Sequence, residues 1–275
     1  MPTPGPQWSG KLFARSMENR EKRVMRRNPM IVALALATLP AVASVYTDSF
    51  DSINPAWTTD RYAPSLFESI ADPTPRNDGN VLRLGVSDAD SELNRPASYA
   101  SSFYNTQGRQ MNISAGPVWS VSAEVYIDSS WDPINGNSRR TGLWTRDSNP
   151  VENNSNYPIF SFLSDNGSFQ IRAYDSQAGW HNLGTSAFNG FDSWNTVRIE
   201  STGSSFDYYL NDTYLWSDLT YSATGFEDLR TVYLQAYNFG AGDYEVYWDN
   251  LTVTPAPGSA ALLVVGTFFC TRRKR

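Results

Sequence analysis

The chain has 275 residues, with 22 Lys+Arg against 28 Asp+Glu for a formal charge of −6, and is 40% hydrophobic and 14% aromatic. That length accommodates one large domain or two small ones, and the apolar share excludes wholesale disorder. Net acidity speaks against a nucleic-acid partner, whereas the single cysteine (Cys270) and single histidine (His181) exclude an internal disulfide framework, a Cys-based zinc site and His-pair metal motifs.

The charge is unevenly spread. Seven of the 22 basic residues lie in residues 1–30, beside Glu18 and Glu21, and four more close the chain as Arg272, Arg273, Lys274 and Arg275. The middle therefore keeps 11 basic residues, all arginine, against 26 acids, a balance of −15 without a single lysine. Such a surface repels itself and other polyanions and draws cations.

In chain order, the first feature is the apolar run Met30–Ala43, preceded by Arg26 and Arg27 and ending in Ala41-Val42-Ala43 before Ser44. A basic flank, a short apolar segment and a small-x-small site at Ala41 and Ala43 define a secretory signal peptide, with residues 1–43 as extension plus signal helix. Its 14 residues fall short of the ~20 needed to span a bilayer. Met1, Met17 and Met25 are alternative starts, and Met25 gives a signal of ordinary proportions.

Residues 44–254 read as one all-β domain. Val118–Ile127 alternates Trp119, Val121, Ala123, Val125 and Ile127 with Ser120, Ser122, Glu124 and Tyr126, the period of two of a half-buried strand. Similar runs cover 81–86, 98–104, 141–145, 159–163, 169–174, 195–200, 206–210, 213–216, 231–237 and 244–254. Asn166-Gly167 and Asn211-Asp212 sit between two pairs of these runs, where hairpin turns belong. Short strands at this spacing predict a two-sheet antiparallel β-sandwich or jelly roll.

The C-terminal segment 255–275 joins Pro255-Ala256-Pro257, an apolar stretch 260–270 and the cluster ending in Arg272, Arg273 and Arg275. This architecture resembles the PEP-CTERM sorting tail of bacterial surface proteins, with Ala256 where that family has glutamate. The resemblance implies a hydrophobic sorting helix, transient membrane association, processing by signal peptidase and an exosortase-type enzyme, and a secreted or cell-surface destination. Within the domain, Phe206–Trp216, Val232–Asn238, Glu245–Val253 and Asp48–Asp51 with Trp57 resemble the strands of concanavalin-like and laminin-G-like jelly rolls.

Candidate sites follow from residue types. Exposed tryptophans stack on sugar faces while arginines and amides bond hydroxyls, which nominates Trp131, Trp144, Arg146, Trp180 and His181 as an extracellular-polysaccharide site; packing under long loops is the competing reading. Related sandwiches imply a structural Ca²⁺ where first and last strands meet, here Asp48 or Asp51 with Asp249; turn caps facing water are the alternative. No catalytic residue is nominated. The Glu-x-Asp-x-x-Glu pattern of jelly-roll glycosidases is absent from Val118–Ile127, and Trp180-His181-Asn182 departs from the Gln-x-His of alginate-lyase-like enzymes. The expected function is carbohydrate binding or a matrix role; a hydrolase or lyase with an unrecognised site and a structural protein without a ligand are the rivals.

Overall fold

The computed structural model describes residues 46–149, 154–219 and 227–255. The signal segment with Ala41, Ala43 and Ser44, and the tail beyond Pro255 with Ala256, Pro257, Arg272, Arg273 and Arg275, lie outside the described residues. The rest is all-β, as the alternation predicts: sixteen strands in two antiparallel sheets, with short 3-10 turns and no α-helix among the described residues.

The first sheet contains β1 (Tyr46–Asp48), β3 (Leu66–Ala71), β4 (Asn80–Val86), β6 (Trp119–Ile127), β12 (Ser193–Ser201), β13 (Phe206–Leu210), β14 (Thr213–Asp218) and β16 (Tyr244–Pro255). Its order is β14-β13-β12-β6-β16-β4-β3, with β1 paired to β16. The second contains β2 (Thr58–Thr59), β5 (Thr106–Asn112), β7 (Arg139–Asn149), β8 (Asn154–Asn156), β9 (Ile159–Asp165), β10 (Ser168–Asp175), β11 (Gly179–Asn182) and β15 (Leu229–Tyr237). Its order is β11-β10-β9-β7-β15-β5-β2, with β8 on β7. Neighbours far apart in sequence, such as β6 beside β16 and β7 beside β15, make this a jelly roll rather than a meander.

The period of two builds the core. Trp119, Val121, Ala123 and Val125 of β6, Val197 and Ile199 of β12, and Leu143, Phe160, Phe162, Ile171 and Leu234 of the second sheet are buried between the sheets. Alternate residues face outward, so each sheet also presents an outer face. Both sequence-marked turns are two-residue hairpins with positive φ at both positions, Asn166 (49°) and Gly167 (73°), then Asn211 (50°) and Asp212 (60°), whose twist matches the flanking strands.

One expected strand is absent. Residues 98–104 form 3-10 turns at Ala97–Tyr99 and Ser102–Asn105, and the strand begins only at Thr106. The guanidinium of Arg95 takes up the carbonyls of Asp90, Tyr99, Ser101 and Tyr104 and the Asn105 side chain, giving this backbone partners other than a ladder. Trp194, the second residue of β12, lies outward beneath the Arg76 guanidinium, which is 4.0 Å from its ring centre.

Candidate functional site

The outer face of the second sheet carries a row of large side chains. Register pairs Trp180 with Tyr174, Tyr174 with Ile159, Ile159 with Trp144 and Trp144 with Tyr233, crossing β11, β10, β9, β7 and β15. Trp144, Ile159 and Tyr233 form a cluster separate from the main core, with Tyr174 against it. Trp180 meets Tyr174 edge-on at 5.1 Å and is 37% exposed, whereas Trp144 is 7% exposed.

The adjacent row is small: Ser161 pairs with Gly142, Gly142 with Gln235, and Gln235 with Gly108. A Cβ at Gly142 would stand 2.5 Å from the Phe160 carbonyl oxygen and 3.1 Å from Trp144 Nε1; one at Gly108 would stand 2.2 Å from the Leu234 carbonyl oxygen. Glycine thus lets the Trp144 indole and the Gln235 amide lie close over the sheet.

Beside these rows runs a cleft of about 290 Å³ lined by Arg61, Thr106, Arg140, Trp144, Tyr157, Ile159, Tyr174 and Trp180. Arg140 sits 4.2 Å from the Tyr237 ring centre and 5.7 Å from that of Trp180, Arg172 sits 4.3 Å from Trp180, and Arg61 sits 5.3 Å from Trp144. Burial, and then the like charge of Arg172, pull the Arg140 guanidinium down to about 10, which still leaves it protonated at neutral pH. Arg172 Nε and Gln235 Oε1 are buried without a hydrogen-bond partner. Asp60, at the cleft's edge, receives the Gln235 amide at 3.0 Å and lies 3.5 Å from Arg61; burial raises its carboxyl above the ordinary range.

The nominated residues divide. Trp144 and Trp180 line the cleft. Arg146 points the same way two residues from Trp144, but borders a different depression and donates to Ser155 Oγ at 2.9 Å. Trp131 is 0% exposed and packs edge-on against Tyr244, so its ring belongs to the core and offers no open face; the polar residues around it face water while the indole turns inward. His181 follows Trp180 on β11 and therefore points to the opposite face, where it stacks on Trp216 at 4.4 Å, with Asp175 3.7 Å away. Arg172, Tyr174 and Arg61 were not singled out from the sequence. The alternation of Gln170, Arg172 and Tyr174 against Phe169, Ile171 and Ala173 is the signal for the first two; Arg61 lies between strands and has none.

The three carboxylates nominated for Ca²⁺ are not gathered. Asp48 accepts from Tyr46 Oη, the Phe50 amide and Trp57 Nε1, while Asp51 accepts from Ser49. Asp249 is engaged by Arg76, which also binds Asp72 and Glu124. Among the described residues no group of three or more acidic, His or Cys side chains could hold a metal ion. With Asp249 committed to a guanidinium, these residues do not fit the implied cation.

The strand Val118–Ile127, seen here as β6, belongs to the other sheet, and its Glu124 binds Arg76 and Asn250. The outward positions of β7, in the middle of the second sheet, are Arg140, Gly142, Trp144 and Arg146, none of them acidic. Retaining glycoside hydrolysis needs two carboxyls about 5–5.5 Å apart, and Asp60 alone does not supply that pair.

No protein-family model matches this sequence, and neither does any curated protein. Solved structures do match in fold. A sialidase superposes with a TM-score of 0.51 at 10% identity over 80% of this chain, which spans only 19% of the sialidase. A Bacteroides ovatus mixed-linkage-glucan protein of glycoside hydrolase family 16, solved with product, gives a TM-score of 0.50 at 11% identity, covering 76% of this chain and 99% of its own. At that identity the likeness establishes architecture: the protein is a concanavalin-like jelly roll of two antiparallel sheets. Fold alone does not carry activity.

Proposed function

We propose that this is a secreted, surface-sorted bacterial protein whose jelly roll binds carbohydrate through the outer face of its second sheet. The row Trp180–Tyr174–Ile159–Trp144–Tyr233 beside a cleft rimmed by arginines is the observation that supports the reading. Aromatic rings match the apolar faces of sugar rings, and polar groups without protein partners match their hydroxyls. The family-16 neighbour with bound product makes a saccharide ligand the natural class to test. The sorting signals at both ends support export, with signal peptidase and an exosortase-type enzyme as processing partners and an extracellular polysaccharide as the ligand.

Binding rather than hydrolysis is the favoured reading because the outward positions of β7 are Arg, Gly, Trp and Arg. The test is retention on a panel of neutral and acidic polysaccharides by affinity electrophoresis. Retention should weaken roughly three- to tenfold in Trp180→Ala, the loss of one stacking contact. No retention on any polysaccharide, or retention indifferent to Trp180, would refute the reading.

A further inference from the structure

Charge on the two outer faces follows different rules. On the first sheet every arginine is matched: Arg76 to Asp72, Glu124 and Asp249, Arg83 to Glu68 and Glu245, and Arg198 to Glu200 and Asp212. On the second sheet Arg140 and Arg172 have no carboxylate within 4.0 Å among the described residues, although acids outnumber arginines 26 to 11 in the middle of the chain. They are nevertheless neighbours, both held against the Trp180 ring, and Arg172 Nε is buried without a partner. Holding two like charges together in a partly buried place is costly unless an anion joins them.

We propose that this face selects acidic glycans, with Arg140 and Arg172 gripping a sugar-borne carboxylate or sulfate while Trp180 stacks on a sugar ring. The inference rests on the carbohydrate-binding reading and names its ligand class. A planar guanidinium fork donates two parallel hydrogen bonds to the oxygens of a carboxylate or sulfate group, and two forks around one cleft define where that group sits. Arg61, 5.3 Å from the Trp144 ring, adds charge at the other end, although Asp60 shares it. The depressed Arg140 pKa agrees: burial and Arg172 disfavour its cation, and a bound anion would relieve both. The domain's −15 repels polyanions at long range, but a Debye length of about 10 Å at 0.1 M salt screens that field while leaving the cleft's own contacts intact.

The experiment is titration calorimetry of the full chain with oligogalacturonate and its full methyl ester, a sulfated galactan oligosaccharide and its desulfated form, and neutral laminarin oligosaccharides. The charged member of at least one pair should bind at least tenfold more tightly than its neutral twin, and which pair responds distinguishes carboxylate from sulfate. Arg140→Gln with Arg172→Gln should abolish that preference without abolishing stacking on neutral sugars, and Arg172→Lys should keep part of it. A thermal midpoint measured alongside identifies any variant that fails to fold, in which case Arg172→Gln alone decides. Equal binding of charged and neutral twins overturns the inference and leaves the carbohydrate reading standing. A preference that survives the Arg variants overturns the site assignment. Absence of binding to every saccharide overturns both.

Discussion

The hydroxyl of Tyr244 offers the sharpest test of how the site is held. Tyr244 projects from β16 across the core, and its Oη lies 2.8 Å from the carbonyl oxygens of both Arg140 and Tyr237. It also accepts the Tyr237 amide at 3.1 Å and the Arg140 amide at 3.3 Å. The β7–β15 ladder pairs Thr141 with Ala236 and extends no further, so the phenol stands where the next rung would be. Burial lifts its pKa to about 12, so the proton is present at any ordinary pH. One proton donated and two amides accepted, at ~1 kcal/mol net each and allowing some relaxation, give about 2–3 kcal/mol for Tyr244→Phe. At roughly 2–4 °C per kcal/mol in a domain of this size, the melting midpoint should fall by about 5–10 °C. Tyr214→Phe is the control, because that residue is exposed and, among the described residues, its hydroxyl bonds Ser217; its effect should stay within about 0.5 kcal/mol. Equal midpoints for Tyr244→Phe and the parent protein in thermal and urea unfolding would refute the account.

Two further predictions concern the same scaffold. Trp131→Ala should cost about 3–5 kcal/mol in urea unfolding, as removal of a wholly buried indole does, whereas Trp180→Ala should cost about 1 kcal/mol or less; similar losses would contradict their placement. Asp72 is buried, but hydrogen bonds from Thr74, Asp78 and Arg76 overcome that burial and hold its carboxyl below the ordinary value of about 3.9. Its contribution is complete above that value and is lost as pH falls through the folded-state pKa, so midpoints measured from pH 6 to pH 2 should fall more steeply for the parent than for Asp72→Asn. Parallel curves would show that Asp72 does not carry the acid limb.

The jelly roll was legible because its information is local: an alternation such as Val118–Ile127 and a turn such as Asn166-Gly167 state their own geometry. The segment 98–104 was not, because its fate depends on Arg95 drawing in carbonyls from across the loop. The site was legible in half. Trp144 and Trp180 stand out by residue type, but Trp180 and His181 are neighbours on one strand and so point to opposite faces. Trp131 has polar company in the sequence, and only its contact with Tyr244 of β16 shows where the ring goes. The pairing of Asp249 with Arg76 joins residues 173 positions apart, and no local pattern announces it.

The position of β16 has a mechanical consequence. A pull on the chain beyond Pro255 enters the sandwich along a central strand, laced on one side to β6 and on the other to β4 and β1. Loaded lengthwise, those ladders shear, and their rungs must give way together instead of opening one by one. At the far end of the same strand the Tyr244 hydroxyl grips the backbone of Arg140, so the strand that ends the described chain is tied by hydrogen bonds to the strand that bears the cleft.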